Sequence, residues 1–152
     1  METEEEVYFE LSDEDSFVRV SLNKYSYPES KNVYDKNWIS SKIILRSGPF
    51  AATFAAEFMA VDFEKFKKEL EYLYDHLDSS ATFNGLERNL EIQIQGDGIG
   101  HLKAICNASD EPGYGRNFKF YIEFDQTQLM PLIRQLANIL QSFPVIGEFR
   151  GF

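Results

Sequence analysis

Cysteine is nearly absent from this sequence, and long apolar runs are absent altogether. The single cysteine, Cys106, excludes an internal disulfide and a cysteine metal cluster. No apolar stretch approaches the roughly 20 residues that a membrane helix needs. The N-terminus, METEEEVYFEL, lacks the basic start and apolar segment of a secretory signal. These absences predict a soluble protein of the reducing cytoplasm with no membrane partner.

Basic residues are missing from the N-terminal end, where acidic residues are concentrated. No Lys or Arg precedes Arg19, whereas eight of the 25 Asp and Glu residues lie in the first 15 positions. The net charge of −10 is therefore mostly local, and it argues against nucleic-acid binding, which needs clustered Lys and Arg. Local acidity permits a basic protein partner steered by charge, although a solvated chain end is the simpler interpretation. The candidate contact residues here are Asp13, Glu14 and Asp15.

Aromatic and apolar residues are plentiful, and their spacing predicts the secondary structure. Alternation with period two indicates strands, and apolar stripes at helical spacing indicate helices. The predicted strands cover 7–11, 16–25, 38–47, 50–60, 80–84, 89–96, 99–106 and 117–124, and the predicted helices cover about 62–77 and 126–141.

The order of these elements predicts an α+β fold. Short, turn-rich connections between the strands imply antiparallel pairing. We expect one curved sheet or two stacked sheets, with both helices packed on an apolar face. Residues 1–152 are expected to form one domain, with the acidic stretch 1–15 at its periphery. The sequence shows no internal repeat at a fixed period.

The segment FAATFAAEFMA, residues 50–60, fits two interpretations. Phe50, Phe54 and Phe58 recur every four residues, which suits a helical stripe and one face of a strand equally well. Phe and Ala alternate at the even positions without a break, and this favours a strand. Asp62 follows directly, and Asp is favourable as the N-cap at the start of a helix but not in the interior of a continuing one. We therefore predict a strand, followed by a helix that Asp62 caps.

Residue types that often carry chemistry form no catalytic or metal-binding pattern. His76 and His101 lie in different predicted elements, and Cys106 has no adjacent basic residue. The glycine-rich GDGIG, residues 96–100, leads into a strand, whereas a phosphate-binding loop opens a helix. We predict that GDGIG is a turn and that Cys106 is a small buried hydrophobe. The residues thus predict no enzyme, no cofactor and no metal.

Two further stretches stand out at element boundaries. In FDQTQL, residues 124–129, Asp125 and Thr127 are favourable helix N-caps, so we predict a helix start there rather than a reactive site. The stretch GYGRNF, residues 113–118, carries Tyr114 and Arg116, which are residue types that often anchor protein interfaces. They are candidate partner contacts, and an ordinary hairpin tip is the alternative.

Several stretches together resemble the WapI family of bacterial immunity proteins. They are KIILRSGPFAATF, EFMAVDFEKFKKELEYLY, SATFNGLERNLEIQIQGDGIGHLKA and FYIEFDQTQLMPLIRQLANIL, following Trp38 in this order. The likeness covers about residues 34–144. VDFEKFKKEL, GLERNLEI and FDQTQL are its most specific parts, and all three are junctions or core patterns rather than catalytic signatures.

The resemblance implies a small intracellular antitoxin. The family archetype is encoded beside a large toxin and neutralises the toxin's C-terminal nuclease domain by stoichiometric binding. Two alternatives come from the residues themselves. An aromatic-rich antiparallel sheet can hold a small-ligand pocket with converging polar groups. Exposed sheet edges or the apolar tail FPVIGEF can mediate a homodimer.

Overall fold

The computed structural model describes residues 6–147 of the chain. The elements are β1 (Val7–Ser12), β2 (Ser16–Tyr25), α1 (Val33–Lys36), β3 (Trp38–Ser47), β4 (Phe50–Met59), α2 (Ala60–Asp75), β5 (Ser80–Asn84), β6 (Leu90–Gly96), β7 (His101–Ser109), β8 (Asn117–Asp125) and α3 (Leu129–Ser142). Over the described residues, no helix has the length and apolar character needed to cross a bilayer.

The eight strands form two antiparallel four-stranded sheets. The first sheet has the order β1-β2-β3-β4 and the second has the order β5-β6-β7-β8, so within each sheet every strand pairs with the strands next to it in the sequence. Helix α2 follows the first sheet and α3 follows the second. The α+β prediction is confirmed, with two sheets rather than one. Apart from the short α1, the chain thus consists of two successive units, each with four strands followed by one long helix.

The two sheets and both long helices contribute to a connected apolar core. Phe83 of β5 lies near its centre and is fully buried. The rings closest to Phe83 come from β1, β4 and α2, and they are Phe9, Phe58, Phe63 and Phe66. Of the acidic stretch 1–15, residues 7–12 form β1, and Phe9 anchors that strand in the core. Residues 1–5 lie outside the described part of the chain.

The predicted strand at FAATFAAEFMA is confirmed, but the predicted start of the following helix is wrong. Helix α2 begins at Ala60 and ends at Asp75, whereas we predicted 62–77. Asp62 is not its N-cap but its third residue, and its carboxylate accepts a hydrogen bond from the Met59 N–H at 2.8 Å. The carboxylate therefore reaches back from the first turn to a free backbone donor.

The structure adds one short helix that the sequence did not predict. Helix α1 lies within the polar connection between β2 and β3. The side-chain oxygen of Asn32 accepts a hydrogen bond from the Tyr34 N–H at 2.8 Å, and it thereby caps the first turn. A single turn has too few residues for an apolar stripe, so its periodicity is not visible in the sequence.

The start of α2 contains a carboxyl group with a perturbed pKa. Burial raises the pKa of Asp62 from 3.8 to about 6, against the opposing effects of the Met59 N–H and Lys65. The folded protein therefore holds a proton between about pH 4 and pH 6 that the unfolded chain has released. The contribution of Asp62 to stability is fully present below about pH 4 and is lost as the pH rises through 6.

Replacing Asp62 by Asn is expected to raise the free energy of unfolding at pH 7 by on the order of 2 kcal/mol. The carboxamide stays neutral when buried, and its oxygen can still accept the Met59 hydrogen bond. The gain should largely disappear near pH 4, which urea denaturation at the two pH values will measure. Asp78→Asn, which changes an exposed carboxyl, is the matched control and should shift stability by less than about 0.5 kcal/mol. An equal gain at both pH values would show that burial of the charge is not the cause.

Candidate partner-binding surfaces

The turn between β1 and β2 is held to the second sheet by Asp13. One carboxylate oxygen of Asp13 accepts hydrogen bonds from the N–H groups of Asp15 and Ser16, at 2.9 and 2.8 Å. The other oxygen accepts the N–H of Glu123 in β8 at 3.1 Å. The carboxylate is therefore engaged within the chain, and Glu14 and Asp15 are the exposed members of the predicted trio. Partner contact by this turn stays a prediction.

The bond between Asp13 and Glu123 brings acidic residues from distant parts of the chain together. A shallow depression of about 490 Å³ is lined by residues of the turn and of the end of β8. Its four carboxylates and the neighbouring Asp15 form what we call the acidic surface: Asp13, Glu14, Asp15, Glu123 and Asp125. Sequence analysis identified the first three, assigned Asp125 only as a helix cap and missed Glu123, because the contact between Asp13 and Glu123 spans 110 residues.

The acidic surface is negatively charged at neutral pH. Hydrogen bonds from the Thr127 hydroxyl and the Thr127 N–H hold the pKa of Asp125 below its usual range. These bonds also confirm the predicted cap, since Asp125 begins a 3-10 turn, Gln126–Gln128, that leads into α3. His101 lines the same depression and is exposed. Because anionic groups predominate, this surface is suited to a cationic partner.

The second pair of candidate contacts lies at the tip of the β7–β8 hairpin. The carboxylate of Asp110 accepts hydrogen bonds from the Arg116 N–H at 2.8 Å and from the Arg116 Nη1 at 2.6 Å. These two bonds hold the pKa of Asp110 below its usual range. Arg116 is thereby paired within its own turn, and Tyr114 projects into solvent with 86% of its surface exposed.

The structure does not bring the two groups of predicted contacts together. The hairpin tip precedes Asn117, at the start of β8, whereas the acidic surface includes Asp125 at the end of that strand. Nine residues of extended chain span roughly 27 Å. One partner that touched both groups would have to cover the whole length of β8. The two groups are therefore separate candidate surfaces.

A wide concavity runs along the first sheet and is open to solvent. Its volume is about 980 Å³, and its polar lining includes Glu6, Ser21 and Lys42. Ser21 donates a hydrogen bond from its hydroxyl to Glu6. The carboxyl with the raised pKa, Asp62, lies elsewhere, at the start of α2. The ligand-binding alternative needs polar groups that converge in a deep pocket, whereas this concavity is open and does not include Asp62.

The remaining candidates for chemistry have structural roles. GDGIG is a hairpin turn, in which the Asp97 carboxylate accepts the N–H groups of Ile99 and His101 at 2.9 and 3.1 Å. Cys106 is buried, and burial raises the pKa of its thiol to about 12, so it holds no reactive thiolate at neutral pH. Within residues 6–147, His, Cys, Asp and Glu side chains form no group of three arranged to hold a metal ion.

By its fold, this is an acidic α+β protein with two four-stranded sheets. Proteins of known structure share that architecture. MRP1/MRP2 of Trypanosoma brucei superposes with a TM-score of 0.52 and 16% identity, over 91% of this chain and 86% of that one. WHY1 of Arabidopsis thaliana superposes with a TM-score of 0.52 and 9% identity, over 97% and 89% of the two chains. At such identities the likeness concerns the fold alone. Among curated proteins, none matches this chain in sequence.

The chain belongs to the WapI-like immunity protein family, whose sequence profile matches residues 9–144. The match begins within β1 and extends to the end of α3, so it covers nearly all of the described fold. It also starts well before residue 34, where the resemblance in the sequence had begun. The turn that carries Asp13, Glu14 and Asp15 therefore lies inside the family region. Membership supports a role as an immunity protein.

Proposed function

We propose that this protein is an immunity protein that neutralises a cognate bacterial toxin domain by stoichiometric binding, without chemistry of its own. The observation that carries the proposal is the family match over residues 9–144. The protein acts in the cytoplasm of the producing cell, where the toxin domain would otherwise act. The partner is a basic domain such as a nuclease, because a surface that binds a nucleic-acid backbone is itself cationic.

The acidic surface is the proposed toxin contact. Its carboxylates lie on a rigid support, since the Asp13 carboxylate is bonded to both the turn and β8. A rigid, predominantly anionic surface steers a cationic partner and raises the rate of association. An acidic inhibitor can thereby occupy the cationic substrate site of a nuclease. Tyr114 and Arg116 lie on the separate surface at the other end of β8, and they are a second proposed contact that is independent of the acidic surface.

A titration of toxin activity tests the proposal directly. The C-terminal region of the protein encoded beside this gene is expressed as the candidate toxin, and its toxic activity is measured while this protein is added in steps. We expect activity to fall linearly and to end at one equivalent, and growth of a host that expresses the toxin to be restored. Complete inhibition by a small fraction of an equivalent would indicate an enzymatic mechanism instead. Toxicity that this protein does not relieve would refute immunity to that toxin.

Reversing two charges on the acidic surface is expected to slow association with the toxin. Glu14→Lys and Asp15→Lys together should lower the association rate constant by about tenfold at low salt and weaken its salt dependence. Stopped-flow fluorescence at several salt concentrations will measure both effects.

A matched pair of substitutions separates this surface from net charge. Glu29 and Glu87 are exposed and lie in the β2–α1 and β5–β6 connections, at the opposite ends of the two sheets. Glu29→Lys with Glu87→Lys changes the net charge by the same amount. If both pairs slow association equally, the acidic surface is not the contact.

A further inference from the structure

Among residues 6–147, one edge of the first sheet is uncovered over part of its length. Helix α3 packs on β1, helix α2 packs on β5, and β8 contacts β1 and β2. Within the described residues, β4 has no comparable cover over positions 50–55, where Phe54 is half-buried and the other five residues are exposed. Phe50 alone exposes 65% of its surface. This segment is the free edge of β4.

The free edge of β4 also lacks the features that usually prevent strands from pairing between molecules. Natural edges carry charged residues, proline or bulges. Residues 50–56, FAATFAA, contain no charged residue and no proline. The pairing of β3 with β4 runs in one register from Trp38↔Met59 to Ser47↔Phe50, without a bulge. The backbone groups of this edge are therefore presented along a regular strand.

The charge of the chain restricts what can pair with this edge. In a twofold interface between identical copies, a patch contacts the same patch of the other copy. A net charge on the patch therefore faces a like charge and is repelled by it. The chain carries a net charge of −10, but the free edge of β4 is neutral, and the first charged residue beyond it is Glu57. This neutral segment is thus suited to contact with a second copy of an otherwise acidic protein.

The order of side chains along the edge is self-complementary. When two copies run antiparallel about a twofold axis at Ala52, Phe50 of each copy lies opposite Phe54 of the other, and Ala51 lies opposite Thr53. Aromatic pairs across neighbouring strands stabilise a sheet, and small residues between them avoid a steric clash. Phe50 is already supported on its own chain by Phe118, with ring centroids 5.8 Å apart. The aromatic residues are thus held in place before association.

We propose that residues 50–54 of β4 pair with the same residues of a second copy, forming a homodimer with one continuous eight-stranded sheet. This interface shares no residue with the acidic surface and does not depend on the proposed toxin. Five paired residues form a small contact, so the dimer is expected to be weak, with a dissociation constant in the range of about 10–100 µM.

The apolar tail, the other candidate for self-association, packs on its own chain where it is described. Phe143 is buried against Tyr25, with ring centroids 5.2 Å apart, and the Tyr25 hydroxyl donates to the Pro144 carbonyl at 2.7 Å. The Ile146 N–H donates to the Asn37 side chain at 2.8 Å. The tail residues 148 and 149 lie outside the described part of the chain.

Opposite charges at position 52 test the interface. Ala52 is exposed, so Ala52→Lys and Ala52→Glu are compatible with the fold. In sedimentation equilibrium, the wild-type mass should rise with concentration towards twice the 17.6 kDa of the chain. Each variant alone places like charges across the twofold axis and should weaken the dimer by at least about tenfold. An equimolar mixture of the two variants should restore it, because opposite charges then face each other.

The control is Ala137→Lys, which makes the same chemical change at an exposed position of α3 and should leave the dimer intact. Thermal unfolding of all variants will show that the fold is unchanged. A wild-type mass of 17.6 kDa at every concentration would overturn the proposal, as would a dimer that both position 52 variants retain. If the wild type is monomeric and Ala52→Lys no longer inhibits the toxin, the β4 edge is a toxin contact. That outcome would also overturn the dimer proposal.

Discussion

Replacing Phe83 by Ala is expected to lower the free energy of unfolding by about 3–5 kcal/mol, a large share of the stability of a small domain. Phe83 is fully buried. Its ring centroid lies 5.1 Å from those of Phe9 and Phe58 and 5.4 Å from those of Phe63 and Phe66. These four rings come from three different elements, so they cannot all move inward to fill the space that the ring leaves. The cost therefore includes the cavity as well as the lost apolar contact.

Urea denaturation with linear extrapolation will measure this loss. Tyr114→Ala is the control, because it truncates an aromatic residue at an exposed hairpin tip and should change stability by less than about 0.5 kcal/mol. A loss of less than about 1 kcal/mol for Phe83→Ala would show that the surrounding rings do collapse. It would then follow that Phe83 does not join the two sheets rigidly.

Replacing Gly96 by Ala is expected to cost about 3 kcal/mol, at the upper end of what added volume usually costs. A Cβ atom on Gly96 would overlap the carbonyl oxygen of Leu77. That oxygen accepts a hydrogen bond from the Gly98 N–H at 2.9 Å, and the Gly96 N–H donates to the Ser79 carbonyl at 3.1 Å. The segment between α2 and β5 is therefore fastened to the end of β6 by backbone bonds on both sides. It cannot retreat from a methyl group without breaking them.

Gly48 provides the comparison for this prediction. It has a φ of +57° and no atom within 4 Å of an added Cβ, so Gly48→Ala tests backbone strain without a steric clash. We expect a cost of about 1 kcal/mol there. The φ of Gly96 lies outside the left-handed region, so its larger cost should come from the clash alone. Equal costs at the two positions, measured by urea denaturation, would contradict this explanation.

Much of the fold was predictable because its signals are local. Alternating apolar residues predicted all eight strands, and apolar stripes predicted α2 and α3. The cap at Asp125 was predictable from residue types alone, since its hydrogen bond to the Thr127 N–H spans two residues. The start of α2 was not predictable in the same way, because an Asp such as Asp62 is favourable both as an N-cap and in the first turn of a helix.

The candidate surfaces were predictable only in part. Asp13, Glu14 and Asp15 were recognisable as a dense acidic group, because they are adjacent in the sequence. That Glu123 and Asp125 lie beside them was not predictable, because β8 reaches the turn only through the packing of the two sheets. The exposure of the β4 edge was equally invisible, since FAATFA has the composition of a buried strand.

The sequence by itself determined the elements, their antiparallel neighbours and the family to which the chain belongs. Each of these depends on residues that are close along the chain, where periodicity, turns and caps act over a few positions. Only the tertiary structure decided that the strands divide into two sheets, that Phe83 lies between them, that Glu123 joins the acidic turn and that, among residues 6–147, nothing buries positions 50–55 of β4. Those features depend on which apolar faces pack together, and packing selects among many arrangements that share the same local pattern.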